Sequence, residues 1–178
     1  MTRRPRILVV DDEAPMRESL KDWLSEDGYE VGMAASGQQA LSMARETDWD
    51  VILLDLKMPG MDGLETLRRL KGEEVGTEAQ VIIMTAYGTT DTAIGAMKLG
   101  AYDYLLKPFD REELHRIASD ALEVNRLMKE VVSFPGHVCR PAAPQKGMVK
   151  IVGSHRRMQE VYKLIGQVAD KDVTVLIM

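Results

Sequence analysis

Short apolar runs alternate with longer amphipathic stretches five times along the chain. The first run, at residues 7–10, is continuous, rich in β-branched residues and bounded by polar ones, a pattern typical of a strand buried on both faces. The apolar runs lie at residues 7–10, 29–34, 51–54, 80–84 and 102–106. The amphipathic stretches show helical spacing and lie at residues 15–27, 37–47, 64–71, 92–99 and from 110 to about 132. The pattern therefore predicts five successive strand–helix units.

Five such units predict an α/β fold, with a parallel sheet covered by helices on both faces. Because crossover connections are right-handed, few strand orders remain. We expect a flavodoxin-like, doubly wound five-stranded parallel sheet of order 2-1-3-4-5, with any functional site at the carboxyl ends of its strands. This domain is expected at residues 1–125. The end of the last helix and a linker containing Pro and Gly follow at 126–147, and a further helix and strand at 148–178.

Composition narrows the classes of function that the chain can serve. A net charge of -5 gives no electrostatic reason for binding nucleic acid or an anionic membrane surface. No apolar run approaches the ~20 residues of a transmembrane helix, so no membrane partner is expected. The single cysteine, Cys139, cannot form an intrachain disulfide, which indicates a reducing, cytoplasmic location.

Charged and hydroxyl side chains stand where four of the five predicted strands end. The first strand ends in Asp11 and Asp12, the third in Asp55, the fourth in Thr85 and the fifth in Lys107. The expected strand order brings all five to one edge, where the carboxylates repel one another unless a cation joins them. Oxygen ligands with room for water suit Mg²⁺. A metal, a carboxylate nucleophile and two groups that bind an oxyanion predict acceptance of a phosphoryl group.

Four sequence blocks carry a resemblance to a known family. Residues 7–13 (ILVVDDE), 54–63 (LDLKMPGMDG), 84–86 (MTA) and 104–109 (YLLKPF) resemble, in this order, the receiver domain of two-component response regulators. The resemblance implies that Asp55 is the phosphoacceptor. It also implies a Mg²⁺ site in which Asp12 and Asp55 are direct ligands, Asp11 acts mainly through water, and Lys57 contributes its backbone carbonyl.

The same resemblance assigns the remaining residues of the site. Lys107 pairs with a phosphoryl oxygen, and the Thr85 hydroxyl moves toward the phosphoryl group. Tyr104 is implied as the aromatic residue whose rotamer reports the switch, and the Lys107–Pro108 bond is expected to be cis. The phosphoryl donor is expected to be a histidine kinase. The chain assists its own phosphorylation and dephosphorylation but is not expected to turn over an external substrate.

Residues 148–178 resemble the opening of the AAA+ ATPase domain of NtrC-like, sigma-54-dependent transcriptional activators. The match covers residues 151–154 (IVGS), the following helix and the strand at 173–178. In that family a phosphate-binding loop follows this strand, and it would lie beyond Met178, so no ATP hydrolysis by this chain is expected. The resemblance implies contacts with sigma-54 RNA polymerase and DNA only through regions absent from this chain.

The last helix of the receiver-like unit carries a heptad-like apolar stripe. Its members are Leu114, Ile117, Ala121, Val124, Met128 and Val131. The early positions are expected to pack on the sheet and the later ones to have no receiver surface left to cover. The stripe therefore predicts a homodimer through this helix and its neighbours, with a plain core face as the alternative.

Other functions stay open at this point. A receiver with a different output is one of them. A phosphohydrolase with an aspartate nucleophile usually carries that residue after the first strand with a second aspartate two positions on, whereas Glu13 follows Asp12 here. An FMN-binding module needs a loop rich in Ser, Thr and Gly after the first strand, and Asp11-Asp12-Glu13 would repel its phosphate.

Overall fold

The computed structural model describes residues 3–72, 75–86 and 90–131, in which five strands alternate with five helices. The strands are β1 (Arg6–Val10), β2 (Glu30–Ala34), β3 (Val51–Asp55), β4 (Gln80–Thr85) and β5 (Asp103–Leu106). The helices are α1 (Ala14–Glu26), α2 (Gly37–Glu46), α3 (Gly63–Lys71), α4 (Thr90–Lys98) and α5 (Arg111–Val131). The predicted linker after residue 131 and the predicted fragment at 148–178 lie outside the described residues.

All five strands form one sheet of order β2-β1-β3-β4-β5, and every neighbouring pair is parallel. The predicted fold class and strand order are therefore confirmed. Successive side chains of a strand point to opposite faces, and each face has its own apolar core. One core joins Leu8 and Val10 to α2, α3 and α4, whereas Ile7 and Val9 belong to the core beneath α1 and α5.

The predicted element boundaries agree with the structure to within two residues, with small corrections at the last strand and at α4. The strand predicted from Tyr102 begins at Asp103, and the helix predicted from Thr92 begins at Thr90. The connection between them passes through Gly100, whose φ of 91° lies in the left-handed region that glycine adopts readily. Tyr102 is still part of this connection.

Helix α5 packs on the sheet further along its length than the apolar stripe predicted. Leu114, Ile117 and Ala121 are buried as expected, but Val124 is half-buried and Met128, though 56% exposed, places its sulfur 3.5 Å from the side-chain nitrogen of Gln80. The expectation that no receiver surface remains for Val124 to Val131 was wrong in part, because the amino ends of β3 and β4 reach this section of the helix, although Leu127 and Met128 stay exposed.

A buried amide holds the later part of α5 to the sheet. Asn125 is 3% exposed, and its Nδ2 donates to the carbonyl oxygen of Asp50 at 2.7 Å and to that of Glu78 at 3.4 Å. These carbonyls precede β3 and β4.

Within the described residues, no helix is both long and apolar enough to cross a membrane.

Candidate functional site at the carboxyl edge of the sheet

The carboxylates of Asp11 and Asp55 meet because their strands are neighbours in register. Val10 of β1 pairs with Leu54 of β3, and each aspartate is the next residue along its chain. Both side chains are buried, with Asp11 fully inaccessible and Asp55 5% exposed. The sheet therefore brings two acidic groups out of water at one point.

The ammonium of Lys107 lies between these two carboxylates. Its Nζ donates to Oδ2 of Asp11 and to Oδ1 of Asp55, each at 2.7 Å. The cation that joins the carboxylates here therefore belongs to the chain itself. Charge-assisted hydrogen bonds of this length are among the strong ones, and they offset part of the cost of burying the charges.

Strand pairing between β4 and β5 positions Lys107 and Thr85. Thr85 pairs with Leu106, and the backbone N–H of Lys107 donates to the carbonyl oxygen of Thr85 at 2.8 Å. Thr85 is 4% exposed. The Lys107–Pro108 peptide bond is cis, as the resemblance implied.

The loop after Asp55 folds tightly against the strand that carries it. A Cβ on Gly63 would lie 2.3 Å from the carbonyl oxygen of Asp55, so only glycine fits there. The N–H of Gly63 donates to Leu56 at 2.9 Å, and the Asp62 carboxylate caps α3 by accepting from the N–H of Glu65 at 2.8 Å. Close packing by this loop keeps the backbone at Asp55 in a defined position.

Burial and charge act in opposite directions on the titration of the cluster. Burial raises the pKa of the Asp55 carboxyl above its usual range, against the hydrogen bonds from the Lys107 ammonium and the Lys57 N–H and the nearby Lys107 charge. Burial by itself would lower the pKa of Lys107, but its hydrogen bonds to Asp11 and Asp55 outweigh that effect and raise it. The lysine therefore stays positively charged, whereas burial disfavours the ionised form of Asp55.

The remaining predicted site residues lie at different distances from this cluster. Asp12 is exposed at the start of the β1–α1 connection, and the Lys57 side chain is exposed on the β3–α3 loop. The backbone N–H of Lys57 donates to Asp55. Tyr104 is half-buried and packs against the core on the side of α2, α3 and α4. The structure thus joins Asp11, Asp55 and Lys107 directly, with Thr85 beside them.

The donor set at this edge suits a hard cation. Among the described residues, no three carboxylate, imidazole or thiol side chains are arranged to hold a metal ion by themselves. Mg²⁺, however, usually takes only one or two protein carboxylates and keeps several waters. Two adjacent acidic strand ends, with the exposed Asp12 carboxylate next to them, fit that requirement.

Sequence reasoning missed one residue that contacts the cluster. The Nη1 of Arg17, in the first turns of α1, donates to the carbonyl oxygen of Asp11 at 2.6 Å. In the sequence Arg17 lies among the polar positions of an amphipathic helix, and nothing in that pattern distinguishes it from a solvated arginine. Only the packing of α1 beside the end of β1 reveals the contact.

Comparison with known proteins shows which family the chain resembles. The profile of the family described as "Response regulator receiver domain" matches residues 7–119. Regulatory protein AtoC of Escherichia coli is 36% identical over 177 residues, which is 99% of this chain and 37% of that protein. Transcriptional regulatory protein ZraR of Klebsiella oxytoca is 42% identical over 171 residues, which is 96% of this chain and 36% of that protein.

Solved structures show the same similarity. The structure of NtrX from Brucella abortus has a TM-score of 0.66 and 33% identity, and the superposition covers 73% of this chain and 30% of that one. The chain spans a little over a third of the length of the two curated relatives. The family match runs from β1 into α5 and includes all four strand ends that build the acidic edge. The chain therefore belongs to the response regulator receiver domain family.

Proposed function

We propose that this chain accepts a phosphoryl group on Asp55 from a histidine kinase. The observation that carries the proposal is the position of the Lys107 ammonium, 2.7 Å from both Asp55 and Asp11. A purely structural ion pair needs one carboxylate for one lysine. Two buried carboxylates on one ammonium leave an excess negative charge at a single edge, and a metal ion or the chemistry of phosphoryl transfer accounts for that excess.

The chain's own groups support in-line attack by Asp55. A carboxylate oxygen of Asp55 forms the new bond to phosphorus, and the bond between phosphorus and the donor's imidazole nitrogen breaks. Lys107 supplies a fixed positive charge at the point where the phosphoryl oxygens arrive. The tight packing at Gly63 holds the backbone of the nucleophile while this occurs.

The residues that would hold Mg²⁺ are Asp12 and Asp55 directly, Asp11 mainly through water, and the backbone carbonyl of Lys57. The support for the role of Asp11 is that both of its carboxylate oxygens already accept hydrogen bonds, one from Lys107 and one from the N–H of Glu13. When bound, the metal would neutralise charge on the transferring phosphoryl group. Of the two direct ligands proposed, Asp12 is the one whose carboxylate is exposed.

Phosphorylation would change the neighbourhood of Thr85 and Tyr104. A phosphoryl group adds close to two negative charges at neutral pH, next to Lys107 and one strand from the Thr85 hydroxyl. We propose that this hydroxyl moves toward the phosphoryl oxygens and that the rotamer of Tyr104 follows. The shared β4–β5 pairing, in which Ile83 lies opposite Tyr104, supports this connection.

The output we propose is sigma-54-dependent activation of transcription in the cytoplasm. The support is that AtoC and ZraR align over nearly the whole chain, past the receiver into residues that resemble an AAA+ domain. Sigma-54 RNA polymerase and DNA would be contacted through regions outside this chain. A homodimer through α5 belongs to the same proposal, because Leu127 and Met128 remain 45% and 56% exposed on its later turns.

The test is phosphorylation of the full chain by acetyl phosphate with Mg²⁺, followed by intact-mass measurement. We expect one phosphoryl group on the natural chain and none on Asp55→Asn. Asp48→Asn, an exposed aspartate just before β3, is the matched control and should be phosphorylated normally. Uptake by Asp55→Asn at the natural rate would contradict the assignment. Sustained turnover of a small phosphate ester would instead favour a phosphohydrolase.

A further inference from the structure

The guanidinium of Arg17 lies close to the acidic edge and pairs with no carboxylate of the described residues. Its Nη1 donates to the backbone carbonyl of Asp11 at 2.6 Å, and its own N–H donates to the carbonyl of Glu13 in the first turn of α1. We infer that Arg17 is a positioning residue for phosphoryl transfer: by holding the Asp11 carbonyl, it fixes the direction in which Asp12 presents its carboxylate to a divalent cation. This inference rests on the proposed function.

Asp11 is held at every polar atom that it has. Its N–H donates to Ala34 at 3.2 Å, Oδ1 accepts from the N–H of Glu13 at 2.9 Å, and Oδ2 accepts from Lys107 at 2.7 Å. The carbonyl lies past the last paired residue of β1, so the ladder with β3 does not supply its partner. Arg17 does, as a buried carbonyl requires.

The bond to Arg17 determines the geometry of Asp12 because the peptide unit is planar. The carbonyl of Asp11, the amide nitrogen of Asp12 and the Cα of Asp12 lie in one plane, so fixing that carbonyl also fixes the peptide plane and the position of the Asp12 Cα. On the other side, the N–H of Glu13 is tied back to Asp11. Asp12 is thus bracketed by two hydrogen bonds, whereas its exposed carboxylate makes no hydrogen bond or ion pair with the described residues.

If Arg17 acted only through its charge, removing it would change the affinity for Mg²⁺ in the opposite direction from the change expected for a positioning residue. A guanidinium near the acidic edge repels an incoming cation, so its removal would tighten Mg²⁺ binding if charge were its whole contribution. If Arg17 positions Asp12, its removal weakens Mg²⁺ binding, because partners that orient metal ligands typically contribute about 10- to 100-fold in affinity. A residue that only supports the fold would change the denaturant midpoint and leave the affinity of the folded protein alone.

The experiment is calorimetric titration of the full chain with Mg²⁺ alone, at fixed pH and ionic strength. Arg17→Gln should raise the Kd for Mg²⁺ about tenfold. Arg116→Gln, which removes an exposed guanidinium paired only loosely with Asp120 at 3.8 Å, is the matched control and should leave the Kd unchanged. Asp12→Ala provides the scale for loss of a direct ligand.

Urea unfolding and a second variant keep the outcomes separate. Urea unfolding of each variant establishes that the titrated protein is folded, and Arg17→Met, which keeps an unbranched apolar stem, replaces Arg17→Gln if the latter does not fold. An unchanged or lower Kd in the folded variant overturns the inference while the natural chain still binds Mg²⁺. Failure of the natural chain to bind Mg²⁺ would overturn the proposed metal site and this inference with it.

Discussion

The two edges of the sheet handle buried polar groups in opposite ways. At the carboxyl edge, two carboxyl groups share one ammonium, and burial raises the pKa of Asp55 despite that contact. At the amino edge, the neutral amide of Asn125 donates to two backbone carbonyls, those of Asp50 and Glu78. At this contact of the amino edge, the buried groups are neutral and matched.

The difference indicates where the fold gives up stability in favour of a functional arrangement of charges. A buried amide that donates to backbone carbonyls contributes modestly to stability and leaves no charge uncompensated. A pair of buried carboxylates on one lysine leaves a net charge that an apolar or amide cluster would avoid. Real proteins depart from locally optimal choices mainly at functional sites, and two buried carboxylates on one lysine are such a departure.

The largest expected effect comes from removing the cation at the carboxyl edge. Lys107→Met should slow phosphorylation of Asp55 by acetyl phosphate about 100-fold or more, because a fixed charge that meets the phosphoryl oxygens is lost. Time-resolved mass measurement of the phosphorylated fraction checks this. Lys21→Met, an exposed lysine on α1, should react at the natural rate, and a near-natural rate in Lys107→Met would mean that the ammonium is only structural.

At the amino edge we expect an effect on stability and none on phosphorylation. Asn125→Asp has the same shape but cannot donate when ionised, so it should lower the free energy of unfolding by about 2 kcal/mol near neutral pH. The loss should shrink at acidic pH: burial raises the pKa of the new carboxyl, and its protonated form can donate again. Denaturant unfolding at several pH values measures both.

The control for the amino edge lies one residue further along α5. Arg126→Gln removes an exposed ion pair with Glu123 and should change the free energy of unfolding by less than about 0.5 kcal/mol. If Asn125→Asp were as mild as Arg126→Gln at neutral pH, or if it altered the phosphorylation rate, the contrast between the two edges would not hold.

The smallest expected effect is a gain in stability at the carboxyl edge. Without Mg²⁺, Asp55→Asn should be more stable than the natural chain near neutral pH, by on the order of 1 kcal/mol, a typical size for a single substitution. Because the pKa of Asp55 is raised in the folded state, the natural chain loses stability as pH rises through that pKa, and asparagine does not titrate. The difference in unfolding free energy should therefore grow from acidic to neutral pH; the reverse trend would show that ionised Asp55 is stabilising.

Particular elements show how far the sequence alone could be interpreted. The β-branched run at residues 7–10 and the aspartates after it predicted both a buried strand and an acidic edge, and the structure contains both. The apolar stripe of α5 was correct up to Ala121. Past that point it missed Asn125, which looks like a surface residue in a helical pattern but is buried against the amino ends of β3 and β4.

The sequence by itself determined the alternation of elements, the strand order and the residue types at each strand end, because hydrophobic period and chain connectivity are local or nearly local properties. Tertiary structure decided which atoms meet. Lys107 lies 52 residues from Asp55 and 96 from Asp11, yet its ammonium contacts both, and Arg17 reaches a carbonyl rather than a carboxylate. Such contacts depend on strand register and on the packing of α1 against the sheet, which no periodicity in the chain records.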